Sequence, residues 1–229
     1  MRYTINILTI FPQAFDSVFS QSIIRIAQEK NLLKINFYNL RDYTRNKHRK
    51  VDAPSYGGGG GMVMQIEPVY RTLAKVKRDF SSRKLYVILL SPQGKPLTQS
   101  LARRLLRHKN LVLICGHYEG IDERVRKYLV DEEVSIGDYI LSGGEIAAMV
   151  LVDVLARLIP GVVGRGSSVE NESFEKGLLD WPHYTRPQRF KNWRVPQVLL
   201  SGNHKKISEW RKRQALGKTK RLRKDLLRT

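Results

Sequence analysis

The chain has 229 residues, 41% of them apolar, which is enough to bury a core in one large domain or in one medium and one small domain. A membrane span requires about 20 uninterrupted apolar residues, and the chain has no such run. Its start, MRYTINILTIFPQAF, lacks the pattern of a signal peptide, so we expect a cytoplasmic protein. The formal net charge of +20 favours a polyanionic partner, nucleic acid above all, over a merely solvated basic face.

Apolar runs alternate with longer helical patterns along residues 1–160. The predicted strands are TINILTI (4–10), LKINFYNL (33–40), LYVILL (85–90) and LVLIC (111–115). The predicted helices are FDSVFSQSIIRIAQE, EPVYRTLAKVKRDF, LTQSLARRLLR, IDERVRKYLV and the run that follows Gly144. Because the strands are apolar throughout and helices separate them, the pattern predicts an α/β domain with a mainly parallel, buried sheet. The single cysteine, Cys115, falls inside a strand and is expected to be a buried thiol, which excludes disulfides and cysteine-based zinc clusters.

A second region follows a Gly/Ser-rich segment. Residues 161–173, GVVGRGSSVENES, are typical of a linker, and residues 174–229 form the second region. Between Arg186 and Thr229 there are 15 Lys/Arg and 2 Asp/Glu, so the charge is concentrated at this end. The segment ISEWRKRQALGKTKRLRKDLLR predicts short amphipathic helices with basic outer faces. This region is the expected phosphate-binding part of the chain.

The most glycine-dense segment is SYGGGGGMVM, residues 55–64, after the basic run RDYTRNKHRKVD. Five consecutive glycines cannot form a stable helix or strand, so the segment is either a plain flexible loop or a loop that faces RNA or acts as a lid. Nucleotide-binding fingerprints are absent from the sequence. G-x-G-x-x-G has no match, and the Gly-Lys-Thr at 217–219 lacks the first glycine of a P-loop because Lys212 occupies that position.

Three further glycine-bearing loops are expected to follow strands of one sheet: LLSPQGKPLTQS (89–100), LICGHYEGIDERV (113–125) and SIGDYILSGGE (135–145). In the first, we expect a strand that ends at Ser91-Pro92, a turn at Gln93-Gly94 and a helix that begins at Thr98. The carboxyl ends of parallel strands form ligand crevices, so the three loops together predict a binding site. A glycine in any one of them taken alone need do no more than permit a tight turn.

SPQG, CGHYEGIDERV, SIGDYILSGGE and GLLDWPHYTRP, in this order, closely resemble the bacterial tRNA (guanine-N1-)-methyltransferase family, and the resemblance runs from LTIFP near the start to LLSGNH near residue 200. It implies a SPOUT-type mainly parallel sheet with a C-terminal trefoil knot in a methyl-donor-binding domain (1–160). It also implies an interdomain linker (161–173) and a small basic helical tRNA-binding domain (174–229). The implied donor is S-adenosylmethionine, the acceptor is the guanine at position 37 beside the anticodon, and the implied assembly is a homodimer whose active site lies at the subunit interface. The resemblance also allows a magnesium ion.

Carried over position by position, the resemblance implies a donor pocket in which SIGDYILSGGE wraps the adenosine of the donor. Glycines would let backbone N–H and C=O groups approach the edges of adenine. Glu119 would suit a ligand that bears a sulfonium and an amine, although an exposed loop acid is the simpler interpretation of that residue alone. The implied donor-binding residues are Leu90, Ser91, Pro92, Gly116, Tyr118, Glu119, Gly120, Ile136, Gly137, Tyr139, Leu141, Gly143 and Gly144.

Methylation at N1 of guanine requires a general base for the N1 proton and a positive group for the charge that builds on O6. The resemblance implies Arg157 as the positive group, although an arginine near a helix C-terminus can equally serve the helix dipole. It implies Glu172 of the linker as the base, placed so that the linker of one subunit covers the donor pocket of the other. The family normally has aspartate there, and Glu170 lies two residues away, so both glutamates stay open as the base. The family also commonly has proline where this chain has Gly60, which predicts a more mobile glycine-rich loop.

Two alternatives remain. One is a non-catalytic RNA-binding protein on a methyltransferase scaffold, which would have no need of the donor-pocket residues. The other is a SPOUT enzyme that methylates ribose 2′-OH, which would not have the GLLD and HYTRP segments in this arrangement.

Overall fold

The computed structural model describes residues 2–80, 84–163, 173–174 and 177–227. Contacts divide the chain into two compact units, Met1–Gly164 and Arg165–Thr229. Most of the linker predicted over residues 161–173 lies outside the described residues.

The first unit is built on a five-stranded parallel sheet. Its strands are β1 (Tyr3–Thr9), β2 (Leu33–Asn39), β5 (Tyr86–Pro96), β6 (Asn110–Cys115) and β7 (Glu132–Ser135). The strand order is β2-β1-β6-β5-β7, and every neighbouring pair is parallel. The predicted parallel, buried sheet is therefore confirmed. The predicted strands agree with β1, β2 and β6 within one residue, whereas β5 continues six residues beyond its predicted end.

Helices cover both faces of the sheet because successive residues of each buried strand point to opposite sides. The helices of the first unit are α1 (Asp16–Phe19), α2 (Ser22–Glu29), α3 (Ile66–Asp79), α4 (Gln99–Leu105), α5 (Glu123–Leu129) and α6 (Glu145–Leu158). Ile5, Ile7 and Leu113 pack with α2, α4 and α6 on one face. Leu8 and Ile114 pack with α3 and α5 on the other. The unit is thus a three-layer α/β domain, as the alternation of patterns predicts.

The helix predicted over FDSVFSQSIIRIAQE is broken. A 3-10 helix (Pro12–Phe15) and α1 are separated from α2 at Gln21, which is extended, and at Ser22, whose φ is +46°. The side-chain amide of Gln28 donates to the carbonyl oxygen of Phe19 at 3.1 Å. This bond satisfies a carbonyl at the end of α1 that continuation of the helix would otherwise use, so the chain can turn there.

Strand β7, which precedes the third loop, was not found among the apolar runs because its sequence, EEVS, carries one apolar residue. Glu132 is nevertheless buried, with Arg104 Nη2 2.6 Å and Lys95 Nζ 3.1 Å from its Oε1. Burial raises the pKa of the Glu132 carboxyl, but the hydrogen bonds from Arg104 and Lys95 lower it by more, so its pKa lies below the usual range. Ion pairing thus lets an acidic residue be buried in this edge strand, which hydropathy alone cannot indicate.

A short antiparallel hairpin frames the glycine-rich loop. Strands β3 (Asp52–Pro54) and β4 (Met62–Met64) pair across it, and a 3-10 helix (Leu40–Tyr43) precedes them. Gly57, Gly58, Gly59 and Gly61 all have positive φ, between 82° and 110°. The predicted loop is confirmed, since the glycines lie between the two strands and outside any helix or strand. Only glycine readily adopts four such conformations in so short a segment.

The second unit contains the hairpin β8 (Arg189–Phe190) and β9 (Trp193–Arg194), then α7 (Gln197–Leu200), α8 (His204–Leu222) and a 3-10 helix (Lys224–Leu227). The prediction of short helices was wrong here, since α8 is one helix of 19 residues. Its buried positions are Ala215 and Thr219, whereas Leu216 and Leu222 are exposed. Thr219 Oγ1 accepts from the backbone N–H of Leu179 at 2.9 Å and donates to the carbonyl of Ala215 at 2.8 Å. A hydroxyl anchor, rather than a leucine stripe, fixes this helix to the GLLD segment.

Candidate functional site

The segment SPQG is a bulge within β5. Leu90 and Lys95 both pair with Val134 of β7, so Ser91–Gly94 loop out between two paired stretches. A Cβ on Gly94 would lie 2.6 Å from the carbonyl carbon of Glu133, so this position admits only glycine without a backbone shift. The expected end of the strand at Ser91-Pro92 was therefore wrong, because pairing resumes after the bulge. Helix α4 begins as expected, with the Thr98 hydroxyl accepting from the backbone N–H of Leu101 at 3.1 Å.

The second loop follows β6 and is held by the hairpin strand β4. The backbone N–H of Glu119 donates to Met62 O at 3.0 Å, and the backbone N–H of Met64 donates to Gly120 O at 2.9 Å. Tyr118 has φ +61° and Gly120 has φ +138°. A tyrosine in the left-handed region is unfavourable by itself, so the bonds on its C-terminal side hold the turn in place.

The third loop follows β7 and crosses the second. The backbone N–H of Gly144 donates to Gly116 O at 2.7 Å, and His117 and Gly143 form a β-bridge. A Cβ on Gly144 would lie 2.8 Å from Cys115 Cα. The two backbones can meet this closely only because residue 144 is glycine.

These loops enclose one cavity of about 390 Å³ at the carboxyl ends of β5, β6 and β7. All thirteen residues implied as donor-binding line it. They are Leu90, Ser91, Pro92, Gly116, Tyr118, Glu119, Gly120, Ile136, Gly137, Tyr139, Leu141, Gly143 and Gly144. Sequence reasoning missed others that also line the cavity, among them Gln93, His117, Arg126, Ser135 and Ile140. All of these except Arg126 lie within the same loops or at their edges, so extending each motif to its neighbours would have found them.

Arg126 reaches the cavity from α5, and no loop motif indicates it. Its guanidinium donates to Gln93 Oε1 and, at 3.4 Å, to Ser91 Oγ, and its Nε lies 3.2 Å from Glu133 Oε1. The arginine thus ties the SPQG bulge to β7. It also places a cation at the cavity wall, and Glu119 of the second loop adds a carboxylate to the lining.

Helix α6 begins with a buried acid that lies against Gly143 of the third loop. Glu145, the first residue of α6, accepts a hydrogen bond of 2.6 Å from the Thr9 hydroxyl. Burial, and secondarily the Glu145 carboxylate, raise the pKa of the Cys115 thiol well above its usual value. Cys115 is therefore an inert core residue, as predicted, since a thiol needs to ionise to act as a nucleophile.

Two space-filling observations bear on what the cavity can hold. A Cβ on Gly116 would have no atom nearer than Leu90 O at 3.9 Å, and a Cβ on Gly120 would have none within 4 Å. Both glycines therefore face open space rather than packed protein. By contrast, a Cβ on Gly61 of the glycine-rich loop would overlap the Glu119 side chain, so that loop lies against the same carboxylate.

The two implied catalytic residues are not brought to this cavity within the described residues of one chain. Arg157 is in the last turn of α6, twelve residues from Glu145, which corresponds to about 18 Å along the helix axis. Glu172 and its neighbour Glu170 lie outside the described residues.

In the second unit, α8 exposes a series of basic side chains, among them Lys205, Lys206, Lys212 and Arg213. Arg211 instead lies over the Trp181 ring, with its guanidinium carbon 5.0 Å from the ring centroid. The neighbouring carboxylate of Asp180 pairs with His183 at 2.7 Å. The GLLDWPHYTRP motif thus packs along a basic helix.

No group of three His, Cys, Asp or Glu side chains that could hold a metal ion is found in the part of the chain that the structure describes. Likewise, none of the described helices is long and apolar enough to cross a membrane.

The fold and the cavity together define an α/β protein with a cavity of small-molecule size between glycine-bearing loops at the carboxyl edge of a parallel sheet. The family model described as tRNA (Guanine-1)-methyltransferase TrmD matches residues 3–229. The chain belongs to this tRNA (guanine-1)-methyltransferase family.

Individual relatives agree. The tRNA (guanine-N(1)-)-methyltransferases of Carboxydothermus hydrogenoformans and Endomicrobium trichonymphae are each 54% identical to the chain, over 97% of its length and over 87% and 98% of their own. The Staphylococcus epidermidis enzyme of the same name is 50% identical over 97% of the chain and 90% of its own length. Among solved structures, the tRNA (m1G37) methyltransferase from Aquifex aeolicus matches with a TM-score of 0.81 and 34% identity, over 96% of this chain and 93% of its own.

Proposed function

We propose that the protein transfers a methyl group from S-adenosylmethionine to N1 of the guanine at position 37 of tRNA, next to the anticodon. The observation that carries this proposal is the convergence of thirteen motif residues on one cavity of about 390 Å³, together with membership of the family. A non-catalytic RNA-binding protein would have no use for such a cavity.

The residues around the cavity fit the donor. A volume of about 390 Å³ lies within the range of small-molecule sites, and Gly116 and Gly120 leave open the space that side chains would fill. Glu119 is exposed at the rim and can face a cationic group, while Arg126 can face a carboxylate. The bound donor supplies an electrophilic methyl group on a sulfonium. The fold around it is proposed to be the SPOUT-type trefoil knot, which the close crossing of the loops at Gly144 and Gly116 supports.

The acceptor chemistry needs two groups from the chain. A carboxylate of the linker, Glu172, accepts the N1 proton, and Arg157 stabilises the negative charge that develops on O6. Glu172 is one methylene longer than an aspartate at this position, so the linker must draw back slightly to present it. The resemblance also allows a magnesium ion, which this acid–base scheme does not require.

The position of Arg157 supports a homodimer with its active site at the subunit interface. Arg157 is ten residues beyond Ala147, the residue of α6 that lines the cavity of the same chain, which corresponds to about 15 Å along the helix axis. Arg157 shares one face of α6 with Ile146 and Val150, whose apolar side chains are exposed. Val150 follows Ile146 by four residues and precedes Arg157 by seven, which are helical spacings. A two-fold axis that packs two such faces antiparallel brings Arg157 of one subunit to the Gly144 end of α6 in the other.

The proposed division of labour assigns the donor site to residues 1–160, the base to the linker (161–173) and tRNA binding to the basic region (174–229). The exposed basic side chains of α8 support the last assignment, because phosphate contacts supply most of the affinity for nucleic acid. A tRNA substrate also supports a cytoplasmic location.

The direct test is nucleoside mass spectrometry of a tRNA transcript with guanine at position 37, after incubation with enzyme and donor. We expect 1-methylguanosine in that transcript and none in a transcript with adenosine at position 37. A product on ribose, or no product in the presence of measurable donor binding, would contradict the proposal.

A further inference from the structure

The hairpin β8–β9 is exposed, and the cavity chemistry does not use it. Phe190 and Trp193 are 56% and 69% exposed, and their ring centroids are 6.0 Å apart at an interplanar angle of 39°. Rings in this arrangement bury little of each other's faces. Exposure of two large aromatic rings side by side is unfavourable in water unless a partner covers them.

A lysine lies beside both rings of this aromatic pair. The Nζ atom of Lys191, in the turn between the strands, lies 5.8 Å from the Phe190 centroid and 5.9 Å from the Trp193 centroid. Lys191 adopts φ +52°, a conformation that glycine or asparagine occupies more readily. The hairpin therefore keeps a charged side chain at a position where its backbone conformation is unfavourable.

The two arginines of the hairpin are direct cross-strand partners. Arg189 pairs with Arg194, and Phe190 pairs with Trp193, so the arginines and the rings lie on opposite faces of the ribbon. Like charges directly opposite one another destabilise an antiparallel pair. Arg189 Nε donates to Lys191 O at 2.9 Å, which holds its guanidinium along the turn. Between Arg186 and Arg194 the sequence contains four cations and no acid, so nothing within the segment neutralises this charge.

From these observations we propose that the hairpin Arg189–Arg194 is a stacking platform for an unpaired nucleotide of the tRNA. Phe190 and Trp193 receive the base, Lys191 contacts the adjacent phosphate, and Arg189 and Arg194 on the other face of the ribbon contact the RNA backbone that continues past the hairpin. Every base has a π face, so the contact recognises unpaired RNA rather than a particular sequence. This inference rests on the proposed tRNA substrate and adds to it a base-stacking element separate from the basic helix α8.

The charge pattern favours RNA over a protein surface as the occupant. An apolar protein patch would cover the rings but would leave Arg189 and Arg194 facing each other without counter-charge. A loop of RNA offers aromatic faces and phosphates within the span of one nucleotide. A ribbon with rings on one face and arginines on the other matches that combination.

The experiment measures binding of an unmodified tRNA transcript by the Phe190→Ala/Trp193→Ala double variant. Loss of base stacking is expected to weaken binding by about 10-fold or more. The conservative pair Phe190→Tyr/Trp193→Phe retains both rings and is expected to bind near the wild-type value. Tyr128→Ala is the matched control, because Tyr128 is also exposed beside a lysine, Lys127, at 5.4 Å, and its loss is expected to change nothing.

A second measurement separates stacking from charge and does not depend on the alanine pair folding. Lys191→Ala keeps both rings, and it is expected to lower the slope of log affinity against log salt by about 1. Thermal unfolding and titration with S-adenosylmethionine check that each variant is folded.

The inference is overturned if the alanine pair is folded and binds the transcript like the wild type, or if Lys191→Ala leaves the salt slope unchanged. It is equally overturned if the alanine pair converts the protein to monomers in sedimentation without RNA, since the rings would then be a subunit contact. Failure of the wild type to methylate the transcript would instead contradict the proposed function, so the two failures are distinguishable.

Discussion

Replacement of Gly116 by leucine tests whether the cavity is the donor site. The backbone at this glycine is not in the left-handed region, and a Cβ would have no atom nearer than 3.9 Å, so the fold should accept a side chain here without strain. Because Gly116 lines the cavity, the four side-chain carbons of leucine would occupy space that a ligand needs.

The expected size of the effect follows from the cost of overpacking. Fitting extra carbon atoms into a well-packed site costs about 1–3 kcal/mol, and this corresponds to a loss of about 5- to 150-fold in affinity. Isothermal titration with S-adenosylmethionine measures this loss directly. The thermal unfolding temperature without ligand should stay close to that of the wild type, because the free cavity accommodates the side chain.

The matched control is Gly217→Leu, the same chemical change in the exposed part of α8, where a Cβ meets no atom within 4 Å. Leucine is the better helix former, so this variant should keep full donor affinity and gain up to about 1 kcal/mol of stability. Wild-type donor binding by Gly116→Leu would refute the reasoning, because it would show that the donor binds elsewhere than between the three loops.

Three further predictions concern the catalytic groups and the stability of the sheet. Mixing Gly116→Leu subunits with Arg157→Ala subunits should restore methylation, since one of the two sites in the mixed dimer then has an open cavity and an arginine from the other chain. If methylation is not restored, the cavity and the arginine of each site come from the same chain. Glu172→Gln should lower the single-turnover rate by about 10²–10⁴-fold while donor affinity stays normal, whereas Glu170→Gln should be nearly silent, and the reverse result would move the base two residues upstream. Glu132→Gln should destabilise the protein by about 1–3 kcal/mol at neutral pH. The pKa of Glu132 is lowered on folding, so the stability that its carboxylate contributes is fully present above the unfolded-state pKa and is lost as the pH falls through the folded-state pKa. The difference between wild type and variant in the free energy of unfolding by urea should therefore shrink towards acid pH. A difference that is constant with pH would contradict this assignment.

Much of the first unit follows from local sequence. Continuous apolar strands between amphipathic helices predict a parallel, buried sheet, because a strand that is covered on both faces needs apolar side chains on both. The glycines of the three loops were also apparent from the sequence. Gly94 and Gly144 are required by the fold, because a Cβ at either position would lie less than 3 Å from backbone atoms. The loops could be assigned to one cavity because parallel strands end at the same edge of a sheet.

What periodicity missed was decided by side chains far apart in sequence. Strand β7 can join the edge of the sheet with Glu132 buried because Arg104 and Lys95 neutralise it. Arg126 reaches the cavity from α5 through its contacts with Gln93 and Glu133. Long-range ion pairs of this kind leave no periodic trace in the sequence.

Hydropathy pattern and motifs were therefore sufficient for the class of fold, the loops that carry the site and the family. The distance of about 15 Å along α6 between Arg157 and Ala147 at the cavity of the same chain depends on the folded helix, because a helix fixes the distance between its ends and no motif indicates where the second end lies. The same holds for the exposure of Phe190 and Trp193 on one face of a hairpin with Arg189 and Arg194 on the other, since cross-strand pairing depends on the register of the turn rather than on composition.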